Sequence, residues 1–243
     1  MERYNNILDR QISKLNNIFE LDNIPNNAIV KVDNPGAGEC LYTAITNYLR
    51  IEFIMKKYIY KLEKNKVSNM LYLPQLTSKS SKINNGEDTI QTLGRELRKM
   101  VCDWLEINGD LDYYETGKTL KQYLLDEDAI GDKVENSFLG NFLTKKEMKP
   151  ELIEDNYKKY IRYMRKNTSY GGPIEIFAIA NVLGRNIKAY KQLHDTYNFT
   201  GQAAILGENE QPIIGIYHTM GGNHWKTLYP KKINSIDIVG MLA

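Results

Sequence analysis

Few side chains in this chain offer thiol or imidazole chemistry: Cys40, Cys102, His194, His218 and His224. Cys40 has the most suggestive setting, at the end of the stretch VDNPGAGEC and the start of an apolar, helix-forming run. Glycines at 36 and 38 let the backbone fold tightly and turn its N–H groups inward. A thiol on the first turn of a helix feels the positive end of the helix dipole, which predicts a pKa below the ordinary value of about 8.5. The amides of Ala37, Gly38 and Cys40 itself could cradle the oxyanion of an acyl-transfer intermediate. One loop can therefore supply both a nucleophile and an electrophilic pocket. The plainer alternative is a small buried residue behind a structural glycine loop.

A thiol nucleophile needs a base. His224, in GGNHWKTLY, stands at the mouth of a strand opened by Gly221 and Gly222, a place from which an imidazole can reach across a cleft. His218 ends the preceding strand-like run and His194 lies in the polar stretch KQLHDTYN, so both read as surface residues. Cys102 sits inside an amphipathic helix without a glycine loop beside it and reads as packing. The histidines have no helical ligand spacing and no cysteine pair next to them, so no metal site and no cofactor are expected.

The elements that must position these groups follow from the pattern. Ile7, Ile12, Leu15 and Ile18 predict an N-terminal helix over about residues 4–20, and AIVKV (28–32) a short strand leading into the glycine loop. A helix runs from Cys40 towards Lys64, and a polar loop follows at 75–88. Ile90, Leu93, Leu97, Val101 and Trp104 form the stripe of the next helix, stopped near Asn108-Gly109. Short helices and turns fill 110–149, and Pro150 opens a further amphipathic helix. In the last third, Pro173 starts a helix, Gly184 stops it, and a strand covers 186–191. AAIL, PIIGIYH and HWKTLY are three more strand-like runs. Helices early and antiparallel strands late make an α+β protein.

Composition excludes several classes. With 32 basic and 30 acidic residues the net charge is +2, which calls for neither nucleic acid nor an anionic membrane as partner. No apolar run approaches the roughly 20 residues of a membrane span. The N-terminal residues lack the apolar stretch of a secretory signal, and two cysteines make no disulfide framework; a reducing, cytosolic setting is expected.

Taken together, the cysteine loop, the block YGGPIEIFAIANVLGRNIKAY and the motif NHWKTL resemble the ovarian tumour (OTU) family of cysteine deubiquitinases. The family reads Asp-Gly-Asn-Cys-Leu-Phe where this chain has Ala37-Gly38-Glu39-Cys40-Leu41-Tyr42. An aromatic-Gly-Gly block corresponds to Tyr170-Gly171-Gly172, followed by a helix bearing Glu175, and a His-aromatic pair corresponds to His224-Trp225. The resemblance implies a papain-like fold, a small antiparallel sheet flanked by helices, in one domain over 1–243. It also implies hydrolysis of peptide or isopeptide bonds after the C-terminal glycine of ubiquitin or polyubiquitin chains. Cys40 would be the nucleophile and His224 the base.

Two positions depart from the family. Ala37 stands where an Asp usually supports the oxyanion loop, and Lys226 stands where an Asp or Asn commonly orients the histidine. The orienter expected instead is Asp33, seven residues before Cys40 at the end of the predicted strand, an arrangement resembling bacterial effectors of the family. Its plain alternative is an Asx turn that caps the loop. Asn223 is a second candidate, although as the neighbour of His224 it should face the other side of the strand. The long span between Cys40 and Tyr170 is expected to form a helical lobe over about 52–150, gripping ubiquitin's globular body. The acidic, partly aromatic segments 110–117 and 124–132 suit a basic, apolar partner surface, or are ordinary loops. Two other readings remain open: an idle ubiquitin-binding module, and another Cys-His acyl-transfer enzyme such as a deamidase. Richness in Asn, Lys, Ile and Tyr fits an intracellular bacterium or a large virus, hence a protein secreted into a host cytosol.

Overall fold

A computed structural model describes residue 21 and residues 26–34, 38–62, 86–113, 116–125, 153–193, 196–204, 213–219 and 224–230. Five helices are described: α1 (Cys40–Leu62), α2 (Gly86–Asn108), α3 (Leu120–Leu125), α4 (Ile153–Met164) and α5 (Pro173–Leu183). Five strands, β1 (Ile29–Val32), β2 (Ile187–Leu193), β3 (Thr196–Ala204), β4 (Ile214–His218) and β5 (Trp225–Pro230), form one sheet in the order β1-β5-β4-β2-β3. The predicted helix over residues 4–20 and most of the polar loop 75–88 lie outside the described residues.

The sheet differs from expectation in one pairing. β1–β5, β5–β4 and β2–β3 are antiparallel, but β4 runs parallel to β2. The cause is topological. β2 turns straight back into β3, so the chain returns to the end of the sheet where β2 began. β4 then starts there, on the other flank of β2, and must run in the same direction.

Helix α1 is the axis of the core. Leu41, Ala44, Ile45, Tyr48, Leu49 and Ile51 recur at helical spacing and are buried. One side packs on β5 and β4, where the Thr227 hydroxyl donates to the Ala44 carbonyl at 2.8 Å and the Tyr48 hydroxyl to the Ile213 carbonyl at 2.8 Å. The other side meets α2, whose Leu97, Val101, Cys102 and Leu105 belong to the same buried cluster. Cys102 is a packing residue, with burial pushing its thiol up to about 12. Helix α5 ends where Gly184 adopts φ of 60°, a left-handed cap that glycine supplies without strain. Among the described residues no helix is long and apolar enough to cross a membrane.

Candidate active site

Cys40 is the first residue of α1, as its loop predicted, and it is fully buried. Its thiol takes hydrogen bonds from the backbone at Trp225, at Leu41 and at Cys40 itself. Those bonds and the distant charge of Arg98 favour the thiolate, yet burial outweighs them and the pKa is raised. The expectation of a lowered pKa is therefore corrected. The helix terminus is present, but it acts on a sulfur removed from water, and desolvation wins.

The loop before the thiol is held from behind. Gly38 has φ of 85°, and a Cβ there would stand 2.4 Å from the Thr168 carbonyl carbon, so only glycine fits. Its carbonyl accepts a 2.8 Å hydrogen bond from Nη2 of Arg98, a buried residue of α2. The same guanidinium donates to the carbonyls of Met164, Lys166 and Ser169 and to the Ser169 hydroxyl, and lies over the Tyr42 ring. Because no peptide in the described chain is cis, the Glu39 N–H points away from the arginine that holds the Gly38 oxygen. Glu39 itself is tied to Arg95, one turn earlier on α2, at 3.0 Å. Its carbonyl receives the Thr43 N–H and hydroxyl, both at 2.9 Å, which starts the helix.

His224 stands immediately before β5. Its Nε2 lies 2.8 Å from Oδ1 of Asp33, beyond the end of β1. That contact leaves Nδ1 as the nitrogen able to take a proton. Oδ2 of Asp33 accepts a 2.7 Å bond from Nζ of Lys226, and the Asn34 N–H donates to Oδ1 at 2.9 Å. The Lys226 and His224 hydrogen bonds, in that order, bring the Asp33 pKa down to about 2, so the carboxylate is ionised throughout the working range. The predicted trio is thus brought to one place: His224 meets Asp33 directly, and the Cys40 thiol rests against the backbone of the residue that follows His224.

Asn34 stitches the two halves together. Its Nδ2 donates to the Trp225 carbonyl at 2.7 Å and lies 3.4 Å from the Cys40 carbonyl. Trp225 reaches the Tyr-Gly-Gly turn through an Nε1–H bond to the Gly171 carbonyl at 3.2 Å, and His218 stacks on its ring at 4.4 Å. Glu175 accepts the Gly172 N–H at 2.7 Å and hydrogen-bonds the Tyr160 hydroxyl. Burial raises its pKa. The acidic residue of that motif holds the turn and does not meet the histidine. Ala37, Asn223 and His194 lie outside the described residues.

Sequence reasoning missed Arg98 and Asn34, and set Lys226 aside because it cannot accept from the imidazole. A signal existed for two of them. Arg98 falls on the apolar stripe of its helix, between Leu97 and Val101, where a charge is anomalous. Lys226 shares a strand face with His224.

A model of the OTU-like cysteine protease family matches residues 35–225, most of the chain. No curated protein matches it. Among solved structures, the Legionella pneumophila deubiquitinase Ceg23 is 13% identical with a TM-score of 0.47, covering 88% of this chain and 84% of its own. An OTU deubiquitinase from Wolbachia pipientis is 10% identical with a TM-score of 0.44, covering 90% and 99%. The Hazara virus OTU bound to ubiquitin is 14% identical with a TM-score of 0.40, covering 88% and 91%.

Proposed function

The chain belongs to the OTU-like cysteine protease family, and from that premise we propose that it is a deubiquitinase in which Cys40, His224 and Asp33 do the work. It hydrolyses the peptide or isopeptide bond after the C-terminal glycine of ubiquitin. Nδ1 of His224 takes the Cys40 proton as the sulfur attacks the glycine carbonyl. The buried thiol rests protonated, so this transfer belongs to the attack itself and not to a standing ion pair. Charge develops on the carbonyl oxygen, for which the sequence offers the amides of Ala37, Gly38 and Cys40 as the hole. His224 then returns the proton to the lysine amine as the C–N bond breaks, leaving a ubiquitin thioester. Water, deprotonated by His224, attacks the thioester and frees the sulfur. Asp33 accepts the Nε2–H throughout, fixing the tautomer and stabilising the imidazolium.

The observation that carries this reading is the 2.8 Å approach of His224 Nε2 to Asp33 Oδ1, with the Cys40 thiol against the next residue of the histidine strand. The composition supports action in a host cytosol on the host's ubiquitin. The expected lobe over 52–150 is not separate in its described part, because Leu97, Val101, Tyr113, Leu120 and Leu124 join the central core; a grip on ubiquitin's body is proposed only for surfaces this span leaves exposed.

Ubiquitin carrying a C-terminal electrophile should label the wild-type protein, and Cys40→Ala should abolish the adduct. Digestion of di-ubiquitins of every linkage, with the same variant as control, then gives the preference. A wild-type protein that binds ubiquitin yet forms no adduct and cuts no linkage is a binding module. A substrate mass shift of about one unit without cleavage indicates a deamidase.

A further inference from the structure

His224 and Lys226 are two residues apart at the start of β5, so their side chains leave the same face of the strand. β1 and β5 are antiparallel with Val32 opposite Thr227. One step beyond that register, Asp33 falls opposite Lys226 and diagonal to His224, within reach of both. The carboxylate divides between them, Oδ1 to the imidazole at 2.8 Å and Oδ2 to the ammonium at 2.7 Å. Its side chain is 64% exposed while that of Lys226 is 24% exposed. Packing therefore does little to orient Asp33.

We propose that Lys226 is a positioning residue of the site: by holding one oxygen of Asp33 it presents the other to the Nε2–H of His224. The proposal rests on Asp33 being the orienter of His224. Without Lys226 only Oδ1 would be held, by the imidazole and the Asn34 N–H, leaving Oδ2 in water on a terminal torsion that is broad. With Lys226 on Oδ2 as well, both oxygens are held and the group has a single orientation. When His224 is protonated, the carboxylate lies bonded to both cations and offsets their repulsion. Position 226 thus supports the base without accepting from it, because it secures the acceptor instead.

Steady-state hydrolysis of a fluorogenic C-terminal amide of ubiquitin tests this, with Lys226→Met, Lys226→Arg, Asp33→Asn and the Lys226→Met/Asp33→Asn double variant. Lys226→Met should lower kcat roughly tenfold with KM within about twofold, since a loosely oriented base costs rate more than binding. Lys226→Arg should keep at least about half of kcat, as a guanidinium also reaches the carboxylate. In the Asp33→Asn background, Lys226→Met should add nothing, the mark of two residues acting as one unit. Wild-type kcat in Lys226→Met, or an equal loss in the Asp33→Asn background, overturns the role of Lys226 alone. Wild-type kcat in Asp33→Asn overturns the orienter reading and this inference with it.

Discussion

Cys40 and Asp33 stand seven residues apart, yet Cys40 is fully buried and the Asp33 side chain is 64% exposed. Cys40 is placed by packing: a helix inside the core, a glycine no other residue can replace, and a buried arginine holding that glycine's carbonyl. The Asp33 carboxylate is placed by charge, through the Lys226 ammonium and the imidazole at a wet strand end. Buried polar contacts are expensive to break, whereas exposed ion pairs contribute about 0–1 kcal/mol to stability. Perturbing the nucleophile side should therefore cost fold and rate together. Perturbing the acid side should cost rate alone.

The largest effect is expected at Gly38. Gly38→Ala places a methyl against the backbone of Thr168 and forces a positive φ on an L residue. The loop must move, and with it the amides before Cys40. The labelling rate with electrophilic ubiquitin should fall by about 10²-fold or more, given how steeply rate depends on sub-ångström placement. An unchanged rate would show that this loop does not hold the reacting group. Arg98→Met comes next. It removes the Arg98 donor from the carbonyls of Gly38 and Ser169, at about 1–3 kcal/mol for each group left unsatisfied, and one donor from Met164 and Lys166, which still accept from Ser169. Urea unfolding should show a loss of several kcal/mol, whereas Asp33→Asn, expected to slow turnover, should unfold within about 1 kcal/mol of wild type. Equal losses in the two variants would erase the contrast.

That contrast also marks what the sequence could tell. The elements were legible because their periodicities and punctuation are local: the stripe of α2, Pro173 and Gly184 around α5, and the glycine loop before Cys40. The approach of Asp33 to His224 could be anticipated because a strand end beside the loop is also local. The parallel β4–β2 pairing was not, since it depends on which flank of β2 the chain takes after β3. Arg98 acts across 60 residues on the Gly38 carbonyl, and no pattern along the chain announces that distance. The thiol's pKa was misjudged for a related reason. A helix start is visible in sequence, but the water excluded around it is a property of the folded core.

The pKa correction gives a third measurement. In His224→Ala, which removes the proposed base, alkylation of Cys40 by iodoacetamide should rise with pH along a midpoint above that of an ordinary thiol, about 8.5. The cause is burial, which disfavours the thiolate. A midpoint below that value would restore the helix dipole as the dominant influence and would make a preformed thiolate the nucleophile.

The smallest effect, and the one with a sign to check, belongs to Glu175. Burial raises its pKa above the ordinary 4.5, against the Tyr160 and Gly172 hydrogen bonds that favour the charged form. The native state therefore keeps a proton that the unfolded chain releases. Its contribution to stability is complete below about pH 4.5 and declines as pH rises through the folded pKa. Glu175→Gln carries no charge at any pH, and its amide oxygen can still accept the Gly172 N–H. The stability of the variant relative to wild type should accordingly increase from pH 4.5 to pH 8, while labelling by electrophilic ubiquitin stays within about twofold, because Glu175 holds a turn and touches no reacting atom. A relative stability independent of pH would mean that Glu175 is buried as a carboxylate, with the neighbouring donors outweighing desolvation. The Tyr-Gly-Gly turn would then share the electrostatic construction of the acid side and not the packed construction of the nucleophile side.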